Sequence, residues 1–436
     1  MTDAKVRLWG RTVGAVSWDA ERFLGVFQYT PGFAKTSVEP SPIVMPKGQV
    51  SYEFPGNRSA DPENSAFHGL PGLLSDSIPD KFGNALIDRW LASKGRRRDS
   101  MNPVERLCYA GKRGMGALEY EPVVRERSNR VVDVDIASLV ELANDILNQR
   151  SNLQGRLDDH KDGLEDILRV GTSAGGARAK AVLAWNPETG AFKSGQLNAP
   201  IGFEHWLLKF DGVTDADDRE VSDPMGYGRI EFGYYLMAQA CGIEMMPSRL
   251  HEEGGRAHFM TRRFDRMENS KLHVQSLCAL CHYDFNRARE YPYEQAIQAC
   301  RSLKLTAREI EQQVRRAFFN VLARNQDDHT KNIAFTMDMS GRWRLSPAYD
   351  MAYAYNPTKY WTREHQMSLN NKTDNFEVDD LITFAQFAGI KANRAIRLME
   401  EVSLGVSNWS DFGQQAGVPV DRIRQIENAQ RTYLFS

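Results

Sequence analysis

The segment Asn325-Gln-Asp-Asp-His-Thr-Lys-Asn332 carries the clearest chemical pattern of this 436-residue sequence. Phosphoryl transfer needs a carboxylate base beside the acceptor hydroxyl and oxygen ligands for Mg²⁺, and protein kinases supply them from a loop with the spacing Asp-x-x-x-x-Asn. Asp327 and Asn332 have this spacing, whereas Asp328 lies one residue too close to Asn332. The spacing therefore predicts Asp327 as the catalytic base and leaves the role of Asp328 open.

Two more side chains extend this pattern. Lys331 lies between the base and Asn332, where an ammonium group would balance the charge of the transferring phosphate. Asp350 follows a strand-like run, the position from which kinase-like folds hold Mg²⁺ over the phosphates. Taken alone, the acidic segment is better explained as a turn after a helix, because Asn and Asp favour turns. The conjunction of Asp327, Asn332 and Asp350 favours a kinase-type site, since combined motifs are much rarer than single ones.

Residues 171–180 (GTSAGGARAK) are the candidate phosphate-binding loop. Small residues let backbone N–H groups approach phosphates closely, and a strand-like AVLAW run follows. The loop matches neither G-x-x-x-x-G-K-[ST] nor G-x-G-x-x-G. A flexible turn is therefore an equal explanation on motif grounds alone.

Lys209 and Glu231 are candidates for orienting the nucleotide phosphates. Lys209 ends a strand-like run, Glu231 opens a helix further along, and kinases pair a strand lysine with a helix glutamate for this purpose. The alternatives are a solvated strand-end lysine and a glutamate that interacts with the helix dipole. Residues 261–264 (TRRF) are the candidate adenine-facing backbone, with an edge strand carrying exposed arginines as the alternative.

Two weaker patterns have ordinary explanations. Cys278-Ala-Leu-Cys281-His282 resembles half a zinc site, but no second Cys or His pair stands at ligand spacing, so buried thiols explain it better. Residues 94–98 (KGRRR) would suit contact with nucleic acid or an acidic partner, although a charge run of this length is usually a solvated surface. We therefore assign no structural metal and keep the basic run only as an optional partner contact.

Composition limits the class of protein. The formal net charge of -2 gives no general attraction to nucleic acid or to anionic membranes. Five widely scattered cysteines fit reduced thiols better than a disulfide framework. We find no signal-peptide pattern and no apolar run able to span a bilayer, so we expect a cytoplasmic protein without membrane contact.

The elements that must position these residues have readable patterns. Short β-rich runs open the chain, a helix is predicted near 80–93 with Asp80 among its possible caps, and an amphipathic helix at 136–149 follows a polar stretch. A helix at 306–324 leads directly into the catalytic segment. We expect an α+β fold in three parts: a β-rich subdomain at 1–125, a part with the Gly-rich loop and the ATP lysine at 126–270, and a helical lobe with the catalytic loop at 271–436.

Along nearly its whole length the chain resembles the HipA-type serine/threonine kinase toxins of bacterial toxin–antitoxin systems. The resemblance rests, in the family's order, on GLLSDSIPDKFG (72–83), GALEY (116–120), TSAGGARAK (172–180), WLLKFD (206–211), RRFDR (262–266), NVLARNQDDHTKN (320–332), LSPAYDMAY (345–353) and HQMSLNNK (365–372). It implies a bilobal protein-kinase-like core of the phosphatidylinositol-kinase type, with an N-terminal β-rich subdomain and a mainly helical C-terminal lobe. It also implies ATP and Mg²⁺, and a protein seryl or threonyl side chain as substrate.

The resemblance also implies roles for individual residues. Asp327 matches the base, Asn332 and Asp350 match the metal ligands, and Lys209 matches the contact to the ATP phosphates. The residues expected to bind nucleotide or its metal are Ser173, Ala174, Gly175, Gly176, Lys180, Lys209, Arg263, Phe264, Asp265, Gln275, His329, Asn332 and Asp350. Arg262 stands where the family often has an acidic residue, so adenine contacts at that position are in question.

Ser173 matches the serine of the family's Gly-rich loop that is autophosphorylated to silence the kinase. A phosphate dianion at this position would repel the nucleotide phosphates, which is a local electrostatic change with a global effect. The resemblance therefore implies that Ser173 is a regulatory site.

The family also implies partners. Its members pair with a small helix-turn-helix antitoxin (HipB-like), and operator DNA is bound mainly through that antitoxin, in agreement with the near-neutral charge here. The protein substrate expected is a component of translation, with aminoacyl-tRNA synthetases as examples. Two alternatives are a catalytically silent co-repressor that docks on an antitoxin and a small-molecule kinase. The intact Asp327, Asn332, Asp350 and Lys209 argue against the silent form.

Overall fold

The computed structural model describes residues 2–58, 65–123, 131–148, 167–168, 170–171, 178–195, 198–213 and 225–435. The chain divides into two compact units. Unit 1 comprises Met1–Met225, His251–Gln275 and Met337–Gly341, and unit 2 comprises Gly226–Leu250, Ser276–Thr336 and Arg342–Ser436. The division into three parts that the sequence patterns suggest stays a prediction.

Unit 1 begins with an antiparallel sheet. Its strands are β1 (Thr2–Leu8), β2 (Arg11–Asp19), β3 (Leu24–Tyr29), β4 (Ser51–Tyr52) and β5 (Leu118–Glu121), in the spatial order β4-β3-β2-β1-β5. Side chains alternate between the two faces of each strand, as the period of two requires. In β1, for example, Val6 and Leu8 are buried while Lys5 is exposed. The β-rich opening predicted from the sequence is confirmed.

Short helices accompany this sheet. They are α1 (Pro31–Ala34), α2 (Gly72–Ser75), α3 (Lys81–Ser93), α4 (Pro103–Ala110) and α5 (Ile136–Asn148). Helix α3 begins after Asp80, whose Oδ1 accepts a hydrogen bond from the Gly83 amide at 2.6 Å. A carboxylate at this position satisfies a backbone N–H that has no partner within the helix. The helices predicted at 80–93 and 136–149 are confirmed.

A second sheet carries the predicted ATP lysine. Its strands are β6 (Lys180–Trp185), β7 (Phe192–Ser194), β8 (Glu204–Lys209), β9 (Ser248–Glu253) and β10 (Arg256–Arg262), in the spatial order β7-β6-β8-β10-β9. Strand β6 pairs antiparallel with β8, and β8 with β10. The short strands β11 (Arg266–Met267), β12 (Ser270–Lys271) and β13 (His273–Ser276) follow β10 in the chain.

One hydrophobic core joins elements from both halves of unit 1. Leu86 of α3, Leu139 of α5, Leu183 of β6 and Leu208 of β8 belong to the same buried cluster. Their burial removes apolar surface from water across the boundary near residue 125. This shared core explains why the first two predicted parts form one compact unit.

Unit 2 is mainly helical. Its helices are α6 (Tyr227–Ala240), α7 (Leu277–Cys281), α8 (Tyr293–Ser302), α9 (Ala307–Leu322), α10 (Val378–Phe387), α11 (Ala392–Ser407), α12 (Trp409–Gln415) and α13 (Val420–Ala429). Two short strands, β14 (Ala334–Met337) and β15 (Trp343–Leu345), follow α9 in the chain. Within the described ranges, no helix is both long and apolar enough to cross a membrane.

Candidate active site

Helix α9 carries the chain to the catalytic segment. A capping box between Thr306 and Glu309 fixes its start, and its last turns are buried in unit 2. The helix ends because Arg324 takes a left-handed conformation (φ 57°). The backbone N–H of Asn325 then donates to the backbone carbonyl of Asn320 at 3.1 Å. Turning the chain back in this way is a common end for a helix. The segment 325–332 therefore starts from a fixed point.

Asp327 and Asn332 are held together in the loop. The Asn332 side-chain Nδ2 donates to the Asp327 carbonyl at 2.8 Å, across a 3₁₀ turn at Thr330–Asn332. The Asp327 side chain itself is 51% exposed. The two residues chosen by their spacing thus form one small structure, with the carboxylate directed toward solvent and the amide oxygen of Asn332 not used by this bond.

His329 and Lys331 lie beside one aromatic ring. The ring of Phe285 is 5.3 Å from the His329 ring, and the Lys331 Nζ lies 5.2 Å from the Phe285 centroid. The His329 Nε2 is 3.7 Å from the nearer carboxylate oxygen of Asp327. Tyr349 donates to the Lys331 carbonyl at 2.7 Å. His329 thus lies near the predicted base, and Phe285 packs beside both His329 and Lys331.

Asp350 follows β15 and has a left-handed backbone (φ 54°). Aspartate adopts this conformation more readily than most residues other than glycine, and Asp350 is half-buried. Asn332 and Asp350 offer oxygen ligands, and the described part of the chain has no group of three or more His, Cys, Asp or Glu residues arranged to hold a metal. A carboxylate and an amide oxygen are hard ligands of the kind that Mg²⁺ prefers, whereas transition metals favour imidazole or thiolate. These residues therefore fit the metal that the resemblance implies.

Asp328, whose role the sequence left open, is fully buried. Its Oδ2 accepts hydrogen bonds from Tyr293 Oη and His365 Nδ1, both at 2.7 Å. Its Oδ1 accepts a hydrogen bond from the backbone N–H of Gln366 at 2.8 Å. Burial alone would raise the pKa of Asp328, but His365 and these hydrogen bonds outweigh it and hold the pKa below its usual value. Asp328 therefore anchors the loop while Asp327 faces outward.

Two lysines of unit 1 occupy paired positions on neighbouring strands. Lys180 of β6 lies directly opposite Lys209 of β8. The Lys180 side chain is 2% exposed, and its Nζ forms an ion pair with Asp80 at 3.4 Å. The Lys209 Nζ lies 5.8 Å from the centroid of the Phe259 ring. The pair with Asp80 balances the charge of Lys180. Contact of Lys180 or Lys209 with the nucleotide phosphates stays a prediction.

Ser173, Ala174, Gly175 and Gly176 lie outside the described residues. The chain on either side of them contacts the start of α3. A side chain at Gly171 would meet Leu86 at 2.5 Å, so the backbone approaches the helix closely there, and Lys180 pairs with Asp80. The chain before the Gly-rich segment thus packs against α3, and the chain after it forms an ion pair with the N-cap residue of the same helix.

The predicted hinge residues form a buried ion-pair network in unit 1. Arg263 donates to both Asp265 oxygens at 2.8 and 2.7 Å, and Arg266 donates to Asp265 Oδ2 at 2.5 Å. Burial alone would raise the pKa of Asp265, but the two guanidinium groups and the Gly116 amide reverse this and hold it far below its usual range. Phe264 is half-buried beside them. Contact of Arg263, Phe264 or Asp265 with nucleotide stays a prediction.

Gln275 is buried, yet both polar atoms of its amide lack a hydrogen-bond partner among the described residues. A buried amide without partners is costly, which makes it a candidate for contact with a bound molecule. Adenine offers both donors and acceptors, so Gln275 fits the nucleotide that the resemblance implies. Glu231 is buried in α6 of unit 2, and its pairing with Lys209 stays a prediction.

Comparison with protein families places the chain. The model described as the HipA-like C-terminal domain matches residues 172–409, and the HipA N-terminal domain matches residues 4–121. The chain belongs to the HipA family. No curated protein matches the sequence.

Solved structures resemble the molecule at low sequence identity. A chain of the Shewanella oneidensis MR-1 toxin–antitoxin complex of HipA, HipB and operator DNA has a TM-score of 0.67 at 16% identity, over 99% of this chain and 95% of that one. The Helicobacter pylori proinflammatory kinase CtkA reaches only 0.35, at 9% identity, over 53% of this chain and 89% of that one. The match to the Shewanella structure confirms the fold class predicted from the sequence, α+β with a kinase-like core.

Proposed function

We propose that this protein transfers the γ-phosphoryl group of ATP to a seryl or threonyl hydroxyl of a protein substrate. The observation that carries the proposal is the contrast between adjacent carboxylates. Asp327 is half-exposed and hydrogen-bonded through its carbonyl to Asn332, while Asp328 is buried and anchors the loop. A base that meets an external hydroxyl must be accessible and fixed in place.

Each residue of the site then has a defined task. Asp327 accepts the proton of the acceptor hydroxyl, and Lys331 offsets negative charge on the transferring group. Asn332 and Asp350 would hold Mg²⁺, which when bound neutralises charge on the nucleotide phosphates. In unit 1, Lys209 would contact the phosphates, and the amide of Gln275 would bind adenine.

We propose further that the protein acts as the toxin of a toxin–antitoxin pair. The support is membership of the HipA family and the likeness to the Shewanella structure, whose complex contains HipB and operator DNA. The partner would be a helix-turn-helix antitoxin, and the net charge of -2 agrees with DNA contact mainly through that antitoxin. Ser173 would be the autophosphorylation site that silences the enzyme.

Labelling with γ-³²P-ATP and Mg²⁺ tests the activity. The wild-type protein should label itself, mass spectrometry should locate the label on Ser173, and Asp327→Asn should reduce labelling by at least about 100-fold. Asp411→Asn, an exposed carboxylate of unit 2, is the matched control and should label normally. Equal labelling of Asp327→Asn and wild type would remove Asp327 from the role of base. An unlabelled wild-type protein that still binds an antitoxin would favour the silent co-repressor.

A further inference from the structure

Asp328 is one member of a closed ring of hydrogen bonds in unit 2. One arm of the ring begins at Asn320 of α9, whose Nδ2 donates to Tyr293 Oη at 2.9 Å. Tyr293 Oη in turn donates to Asp328 Oδ2 at 2.7 Å. This arm links the last turns of α9 to the residue next to the catalytic base.

The other arm returns to the same helix. His365 Nδ1 lies 2.7 Å from Asp328 Oδ2, and His365 Nε2 lies 3.0 Å from a guanidinium nitrogen of Arg431. The same nitrogen donates to the Val321 carbonyl at 2.8 Å. Because Asn320 and Val321 are neighbours in α9, the ring begins and ends on adjacent residues.

The chemistry of the ring fixes the direction of each bond. A guanidinium group only donates, so the His365 Nε2 facing Arg431 must accept. The proton of the imidazole is then on Nδ1, which donates to the Asp328 carboxylate. Every bond of the ring thus has one donor and one acceptor, and Tyr293, Asp328, His365 and Arg431 are all buried. A satisfied buried network of this kind specifies one arrangement of its members.

Arg431 also caps α9. Its backbone amide donates to the Leu322 carbonyl at 2.8 Å and its side chain to the Val321 carbonyl, two carbonyls at the end of the helix that have no partner within it. The guanidinium group lies 5.4 Å from the centroid of the Phe376 ring and pairs with Asp374. A cation at a helix C-terminus is favourable because it complements the helix dipole. One side chain therefore holds both the helix that leads into the loop and the histidine that holds Asp328.

We propose that His365 and Arg431 are positioning residues for the catalytic base. They fix Asp328, and through the peptide bond between Asp327 and Asp328 they fix the direction of the Asp327 carboxylate. Neither residue is assigned a contact with ATP or with the acceptor. This inference rests on the proposed kinase function for its catalytic consequence, but the anchoring of the loop does not depend on it.

Steady-state kinetics test the catalytic consequence. In Arg431→Met, kcat for ATP consumption should fall about 10- to 100-fold, the scale of a misplacement near 1 Å, while the KM for ATP changes less than about twofold. Arg431→Lys keeps a donor and should recover part of the loss. Arg394→Met removes partly exposed ion pairs with Glu311 and Glu401 in the same unit and should keep kcat within about twofold of wild type.

A double variant separates positioning from general damage. His365→Asn keeps a donor for Asp328 but removes the link to Arg431. If both residues act through one ring, His365→Asn/Arg431→Met should have a kcat no lower than that of Arg431→Met alone. Multiplied losses, or a kcat that falls only with the folded fraction, would overturn the proposal.

Hydrogen exchange tests the anchoring without reference to activity. In Arg431→Met of the full chain, peptides covering 325–332 should exchange about 10-fold faster than in wild type. The backbone N–H of Gln366, which donates to Asp328 Oδ1, should do the same. Helix α12 should keep its wild-type exchange rate. Unchanged exchange at these positions would overturn the inference whatever the activity. Faster exchange in a protein whose wild type shows no turnover would instead reject the proposed function and leave the anchoring in place.

Discussion

Asp327 and Asp328 are neighbours in the chain and occupy opposite environments. The first is half-exposed, and the second accepts three hydrogen bonds from Tyr293, His365 and the Gln366 amide in a fully buried position. A carboxylate with three donors is held in one orientation, whereas a carboxylate that must take a proton from a substrate needs access. Asp328 therefore suits the task of holding the loop in place, and Asp327 suits the proposed task of accepting the proton.

The spacing to Asn332 was sufficient to choose between these two aspartates from the sequence. It could not identify the partners of Asp328, because Tyr293 and His365 are 35 and 37 residues away and no local pattern connects them. The HQMSLNNK run, which contains His365, marks the family but does not show which residue His365 contacts. Arg431 had no sequence signal, since a single arginine after a helix is normally a solvated side chain.

Asp265→Asn should destabilise unit 1 strongly. The change removes the carboxylate that compensates Arg263 and Arg266, both buried, and breaking a buried ion pair by removing one partner costs about 3–5 kcal/mol. The matched control is Glu204→Gln, which breaks the exposed pair between Glu204 and Arg262 and should cost less than about 1 kcal/mol. Urea unfolding measures both. Equal losses in the two variants would show that the buried network contributes no more than a surface pair.

At the scale of elements, helix α3 connects the β-rich opening of the chain to the sheet that carries Lys209. Its N-cap Asp80 performs two tasks at once, since Oδ1 caps the helix and Oδ2 lies 3.4 Å from the Lys180 Nζ. The position of the helix was predictable, because an apolar pattern at helical period followed a capping residue. The ion pair was not, because it joins residues one hundred positions apart.

Asparagine at position 80 separates these two tasks. Asp80→Asn keeps a cap of similar quality but removes the charge that compensates buried Lys180, so we expect a loss of about 3 kcal/mol. Asp80→Ala removes the cap as well and should cost about 1 kcal/mol more. Thermal and urea unfolding of the two variants give the comparison. If Asp80→Asn were as stable as wild type, the ion pair would contribute nothing and only the cap would matter.

At the scale of the whole molecule, the described residues form two units, and the boundary expected near residue 125 is crossed by a continuous core. Leu86 and Leu139 pack in one cluster with Leu183 and Leu208 of the second sheet. Periodicity identifies which face of each helix or strand is apolar, but it does not tell which faces share a core. Periodicity therefore predicts the individual elements, while the core that they share becomes visible only in the structure.

Buried histidines give unit 1 a pH dependence that can be measured, and burial lowers the pKa of His205, His258 and His273 alike. Burial lowers the pKa of His258 to about 4 and that of His273 to about 4. In the unfolded chain a histidine titrates near 6.5, so between roughly pH 6.5 and pH 4 the unfolded state binds more protons than the folded state. Each histidine therefore makes its full contribution to the free energy of unfolding above about pH 6.5. This free energy falls as the pH is lowered, by up to about 1.4 kcal/mol per pH unit for each histidine. Asp265, whose pKa is lowered, loses its contribution only below about pH 4.

In His273→Gln, the proton that His273 binds on unfolding should no longer contribute to the pH dependence of stability. The glutamine retains an N–H donor for the Pro40 carbonyl, which accepts from His273 Nε2 at 2.8 Å in the wild type. Between pH 5 and pH 6 the variant should lose stability more slowly than wild type, by about 1.4 kcal/mol per pH unit less, as measured by urea unfolding followed by tryptophan fluorescence. Above pH 7 neither state of this residue binds a proton, so the two stability curves should run parallel there and provide an internal control. Parallel curves across the whole range would mean that the pKa of His273 is not lowered on folding, and the acid sensitivity of unit 1 would then have to come from other groups such as His205 and His258.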